Sequence, residues 1–277
     1  YCPGDQMVYL DVDFFNTRRN QVRPLSYIAL DPDITGTRGG ALCDQLVAWA
    51  TQRANADIPR APSGARITFV GAVESANTQV LDAWKRAGFS EARRFYQMWI
   101  DFADAPKPAR VPDGYTIRTA RPDEQRTVYD ATRQAFRDHY GHVEPASPEE
   151  DYRQWLHHFM EYEEFDPELQ LVAVDSSDSV VGVSLCRPNE GVRDDIGWVG
   201  TLGVIREHRR RGLAEALLRR SFEVFHAKGK AGAALGVDAD SLTNATRLYE
   251  KCGMHQRRLF FHFEKIIRDG EELAKLE

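Results

Sequence analysis

The stretch 204–218, VIREHRRRGLAEALL, sets Arg206, Arg209, Arg210 and Arg211 just before a glycine and an amphipathic run. The apolar spacing predicts a helix that starts near Gly212. The first turn of a helix exposes N–H groups and carries about half a positive charge, so acids belong there and cations do not. Arginines gathered at that end make sense where an anion sits on the helix, because backbone N–H groups and nearby guanidinium groups form a phosphate site. Gly212 would let the backbone approach such a ligand closely, and Ala214 is too small to obstruct it. A solvated basic turn has the same local pattern, so the surrounding chain must decide between the two.

The chain has 277 residues, room for two ordinary domains, and its net charge of −6 comes with no long basic block. That balance argues against wholesale nucleic-acid binding, and no apolar run has the length of a membrane span. Cys2, Cys43, Cys186 and Cys252 are far apart, without metal-ligand or disulfide-framework spacing. No metal site is expected. Buried free thiols in a reducing cytoplasm fit this usage.

Periodicity and turn residues divide the rest. Strands are predicted at 7–13, 25–30, 67–73 and 95–102. Between them a helix spans 41–53 after the glycine-rich 35–40, and another spans 77–87, capped by Asn77 and stopped by Gly88. Residues 103–113, ADAPKPARVPD, hold three prolines and read as an interdomain linker. The units are therefore 1–103 and 114–277, joined by 104–113. In the second unit, strands at 115–118, 169–174, 180–186, 198–204, 233–237 and 259–267 alternate with helices at 123–138, 147–163, 212–227 and 243–252, before a frayed tail at 271–277.

Arg209-x-x-Gly212-x-Ala214, placed between a strand and an amphipathic helix, resembles the R/Q-x-x-G-x-G/A signature of the GNAT acyltransferases. The order of elements in the second unit resembles that family too. The resemblance implies an α/β fold, a mixed twisted sheet flanked by helices whose two central strands splay apart. It implies that Leu202, Gly203 and Val204 on the strand edge, with Arg209, Arg210, Arg211, Gly212, Leu213 and Ala214 in the loop, hold acetyl-CoA. Tyr249 in RLYEKCG matches the family's tyrosine, the general acid for the leaving thiolate. The family's cofactor-touching asparagine falls on Leu242 here, and Asn244 and Ser241 are imperfect substitutes. Gly200 and Gly203 suit a bulge, a close ligand approach or plain packing.

The family often places a glutamate on the strand before the loop, and 198–204 has no acid. Asp194, Asp195, Glu190, Asp138, His139 and His142 are the alternatives for a general base. Glu161, Glu163, Glu164 and Asp166 would attract a cationic amine if they face the cleft, and otherwise solvate a helix end.

The chain also mirrors itself. Trp84-Lys-Arg-Ala-Gly-Phe89 parallels Tyr249-Glu-Lys-Cys-Gly-Met254, and Arg93-Arg-Phe-Tyr96 parallels Arg257-Arg-Leu-Phe260. This resembles tandem GNAT domains, a layout of the mycothiol synthase type, with the first unit incomplete at its N-terminus. In that unit Thr35 replaces Arg209, Arg38 stands near the place of Gly212, and Trp84 replaces the tyrosine, so cofactor chemistry is expected in the second unit. The implied activity is acetyl transfer to the primary amine of a small molecule. The missing strand carboxylate leaves a non-catalytic acyl-CoA-binding module as the alternative.

Overall fold

The computed structural model describes residues 8–13, 25–30, 36–139, 142, 144–145, 147–160, 164–239 and 245–273. In chain order the strands are β1 (Val8–Asp13), β2 (Leu25–Leu30), β3 (Ile67–Glu74), β4 (Ser90–Asp101), β5 (Tyr115–Thr119), β6 (Gln170–Asp175), β7 (Val180–Arg187), β8 (Ile196–Val204), β9 (Gly232–Asp238) and β10 (His255–Arg268). The helices are α1 (Gly36–Asp57), α2 (Thr78–Arg86), α3 (Gln125–Ala135), α4 (Pro148–Met160), α5 (Leu213–Ala227) and α6 (Ala245–Lys251).

All ten strands join one sheet in the order β1-β2-β3-β10-β4-β9-β8-β7-β6-β5. The β2–β3 and β8–β9 pairs are parallel and the rest antiparallel. The two mixed sheets expected from the sequence are thus continuous, and the join is an exchange. β10, the last strand of the chain, lies between β3 and β4, while β4 lies between β10 and β9. The succession β2-α1-β3-α2-β4 recurs as β8-α5-β9-α6-β10.

The exchange explains where sequence reading placed boundaries badly. β4 starts at Ser90 rather than 95, and β10 at His255 rather than 259, because the first residues of each pair along the far end of the other in the β4–β10 ladder. Each carries one bulge against the other, at Ala92 and at Arg257. Counted from Gly88 and Gly253, these are equivalent places. They align Arg93 with Arg258, not with Arg257 as the sequence suggested.

Other expectations shift for packing reasons. Residues 36–40 form the first turns of α1 rather than a loop, with Gly39 buried. The linker is not a free tether: the Ala109 amide donates to Glu223 Oε1 on α5 at 2.7 Å, and the Phe102 ring lies 5.8 Å from that of Phe222. Glu271, expected in a frayed tail, is held by amide–carbonyl bonds with Gly64 and Arg66, and residues 274–277 lie outside the described residues.

Two apolar layers flank the sheet. Phe69, Val73 and Phe263 pack with Val47, Ala50, Val80 and Trp84 of α1 and α2. Met98, Leu235 and Val237 pack with Leu218, Phe222, Phe225 and Tyr249 of α5 and α6. The strand registers set both groups on the same face. α3 and α4 cover β6 and β7 from the other face through Val128, Tyr129, Trp155, Val172 and Val183. Burying an aromatic side chain of this kind stabilises the fold by about 1.5–3 kcal/mol each.

Candidate functional site

β8 and β9 hydrogen-bond through only three residue pairs, Ile196–Gly232, Gly197–Ala233 and Trp198–Ala234. Beyond Trp198 the strands part. β8 turns toward β7, and the two registers of that pair differ by one residue at Gly200, which bulges between Val199 and Thr201. The expected splay and bulge are both present. Gly203, by contrast, is a packing glycine: a Cβ there would come within 2.7 Å of the Phe136 ring and 3.0 Å of Ala135. Leu202 and Val204 alternate to the opposite face, against Leu213 and Leu217 of α5.

The chain leaves β8 through a short turn and enters a left-handed loop. Arg210 has φ +62° and Gly212 has φ +87°. Gly212 begins α5 with no side-chain cap, so the first-turn N–H groups of Leu213 and Ala214 receive none from it. Among the described residues only Pro112 Cγ, at 3.7 Å, would meet a Cβ at Gly212. The Leu213 side chain is buried and anchors the helix start in the core, and Ala214 is half-buried. An open, uncapped helix N-terminus behind a left-handed loop fits an anionic diphosphate.

The arginines divide by role. Arg209 Nε donates to the Val204 carbonyl at 3.0 Å and Nη2 to the Ala135 carbonyl at 2.9 Å, so its guanidinium ties the end of β8 to the end of α3. Arg211 donates to the Tyr115 hydroxyl at 3.0 Å and to the Glu207 carbonyl at 3.2 Å, and the Tyr115 hydroxyl lies 3.0 Å from His208 Nδ1. Arg210 is exposed. The sequence grouped all three with the cofactor, with Arg209 as the first position of the signature, and in the fold the Arg209 guanidinium acts as a strut.

Tyr249 lies on α6 in the cluster that contains Leu235, Val237 and Cys252. Burial, reinforced by the Cys252 thiol, pushes its phenol up to about 12. It therefore stays protonated across the neutral range and can donate. Asn244 and Ser241 lie outside the described residues.

The candidate bases are mostly engaged. Asp138 sits 3.1 Å from Arg206 and 3.5 Å from Arg209. Asp195 pairs with Arg193 through two contacts, and that hydrogen bonding holds its carboxyl below the usual carboxylate range. Glu190 accepts from the Arg193 amide. His139 lies tilted against Phe136, with 4.5 Å between ring centres, and His142 Nε2 is 3.3 Å from Glu144. Asp166 caps a turn by accepting from the Glu168 amide and pairs with Lys228, and Glu164 accepts from Asn189. Glu161 and Glu163 lie outside the described residues. Among the described residues no group of three or more His, Cys, Asp or Glu could hold a metal ion, and no helix is long and apolar enough to cross a membrane.

The sequence model of the acetyltransferase (GNAT) family matches residues 128–254, which span the parted strands, the loop and Tyr249. A GCN5-related N-acetyltransferase from Sphaerobacter thermophilus is 31% identical, with a TM-score of 0.79 over 97% of this chain and 79% of its own. One from Kribbella flavida shares the fold at 15% identity and a TM-score of 0.58, over 87% of this chain and 81% of its own. A tandem GNAT protein from the clavulanic acid biosynthesis pathway, solved without AcCoA, shares it at 15% identity and 0.59, over 89% and 76%. No curated protein matches the sequence.

Proposed function

The chain belongs to the GNAT family of acyltransferases, and from that premise we propose that it moves an acetyl group from acetyl-CoA directly to the primary amine of a small molecule. One observation carries the reading. The parting of β8 from β9 beyond Trp198 has the uncapped start of α5 at one end and the Tyr249 helix beside it.

Acetyl-CoA, when bound, supplies an acyl group activated as a thioester. The chain's own residues do the rest. The loop at Arg210, Arg211 and Gly212, with the amides of Leu213 and Ala214, holds the diphosphate, and positive charge there raises the affinity. The edge of β8 away from β7 at Leu202–Val204 offers its backbone groups to the pantetheine arm, as an added strand would take them, apart from the Val204 carbonyl that Arg209 already engages. Tyr249 donates its phenolic proton toward the departing thiolate. β8 carries no carboxylate, so the acceptor nitrogen arrives neutral or loses its proton to water.

We read residues 1–103 and 114–277, joined by 104–113, as tandem units of which the second is active. The repeated succession of elements supports this. Trp84, in the place of Tyr249, is fully buried, and its ring fills the space over Gly71, where a Cβ would come within 2.5 Å of it. An indole cannot protonate a thiolate as a phenol can.

The test is thiol release from acetyl-CoA against a library of primary amines, with Tyr249→Phe as the control. Amine-dependent release that the variant loses supports the reading. Binding of coenzyme A without release for any amine would favour a non-catalytic module instead.

A further inference from the structure

Gln97 stands in β4, in the first part of the chain, yet the strand exchange sets it against β9 with Gly236 as its register partner. Its neighbour Met98 pairs with Leu235, and both pack in the cluster that contains Tyr249. Successive side chains of a strand point to opposite faces. Gln97 and Gly236 therefore lie on the face away from Tyr249.

Trp198 marks the same face. Gly197, its neighbour, is covered by the Phe225 ring of α5, and the Trp198 ring lies 3.7 Å from where a Cβ on Gly236 would be. The strands part just beyond the Trp198–Ala234 pair, and Gly236 is two residues further along β9. The gap that the proposed thioester would enter thus has the phenol on one side of the sheet and the Gln97 amide on the other.

The Gln97 amide oxygen has no other engagement among the described residues. The residue is 7% exposed, and its Oε1 has no hydrogen-bond partner among the described residues. A buried, unpaired amide oxygen is rare because burial removes its water. Its chemistry selects an N–H donor, which an attacking primary amine presents. A carboxamide does not titrate near neutrality, so it can hold the amine without removing its proton.

We infer that Gln97 is a positioning residue for the acceptor amine, delivered to the cleft between β8 and β9 by the exchanged strand β4. The inference rests on the proposed amine acetylation. It also gives the first part of the chain a share in the chemistry of the second.

The test compares the parent with Gln97→Met, which keeps length but removes hydrogen bonding, and with Gln97→Asn, which keeps the amide but shortens its reach. The amine is whichever polyamine, amino acid, amino sugar or aminoglycoside the parent acetylates best. Calorimetry with coenzyme A and a thermal melt accompany the kinetics. The expected result is a rise in the amine KM of about tenfold or more, a smaller change in kcat, and unchanged coenzyme A affinity. If Gln97→Met fails to fold, Gln97→Asn is read by the same criteria. A variant that folds and keeps the parent's amine KM and kcat overturns the inference and leaves amine acetylation standing. So does loss of coenzyme A affinity in parallel with amine KM, which marks a structural role. A parent that binds coenzyme A but acetylates no amine overturns both.

Discussion

Phe95 and Phe260 face each other across the antiparallel β4–β10 pair inside the sheet. Each stands as far beyond its helix-stopping glycine, Gly88 or Gly253, as the other does. The pair therefore lies on the local two-fold that relates the two strands, and neither strand has all its partners within its own half. A cut in the linker should not release two proteins. With a protease site placed between Asp104 and Asp113, the nicked chain is expected to elute at the parent size under native conditions. The fragments should separate only in denaturant. Separation without it would mean that the exchanged strands do not hold the halves together.

Tyr249 should matter to turnover and little to binding. Tyr249→Phe is expected to lower kcat by roughly 10²-fold or more, the usual share of general acid catalysis, with the coenzyme A affinity nearly unchanged by calorimetry. Because burial pushes the phenol up to about 12, the protonated donor persists as pH rises. The parent's kcat should show no falling limb near 10, where a free tyrosine titrates. A fall there that Tyr249→Phe abolishes would contradict the burial.

Gly212 combines a backbone need with a ligand need. At φ +87° a side chain costs about 1–2 kcal/mol, so Gly212→Ala should melt a few degrees below the parent, as such a loss does in a chain of this size. Gly212→Glu adds bulk and negative charge where the diphosphate is proposed to lie. Calorimetry should detect no coenzyme A binding to it, and retained affinity would move the cofactor elsewhere.

Arg209 and Arg210 should separate stability from affinity. Arg209→Ala leaves the Val204 and Ala135 carbonyls without their donor, a loss of about 1–3 kcal/mol, read in urea unfolding. Arg210→Ala should unfold like the parent but bind coenzyme A more weakly, with a shallower dependence on salt. Equal unfolding free energies for the two variants would remove the strut assignment.

The opening of α3 gives a pH signature. Arg118 donates to Glu124 at 2.6 and 2.7 Å, and this pair holds the Glu124 carboxyl below its ordinary value of 4.5. A depressed folded value contributes stability that is present above the unfolded value and lost as pH falls through the folded one. Glu124→Gln should therefore be less stable than the parent by about 1–2 kcal/mol at pH 7. The gap should persist to about pH 5 and close below it. A gap that widens on acidification would reverse the sign.

The second half of the chain was the more legible. Val199 to Val204, the arginine loop, Gly212 and the Tyr249 helix follow from local rules, since turn conformation, helix start and apolar period are written in adjacent residues. Gly203 left ligand approach and plain packing both open, because a strand glycine looks the same in either case; the Phe136 ring on its Cβ side supplies the packing reason and leaves the role of its backbone to experiment. The glycine-rich 36–40 read as a loop because glycine lowers helix propensity, yet packing of Gly39 and Cys43 against the sheet carries the helix through it.

The sequence by itself determined the local elements, including the arginine-rich loop that opens α5 and the tyrosine of α6, and the like residues that follow Gly88 and Gly253. Tertiary structure alone decided that β4 and β10 change places, that Arg209 bridges β8 and α3, and that Gln97 stands opposite Gly236 of β9. Strand propensity is nearly indifferent to which neighbour completes the ladder. The choice rests on contacts between residues far apart in the chain, and no local pattern records them.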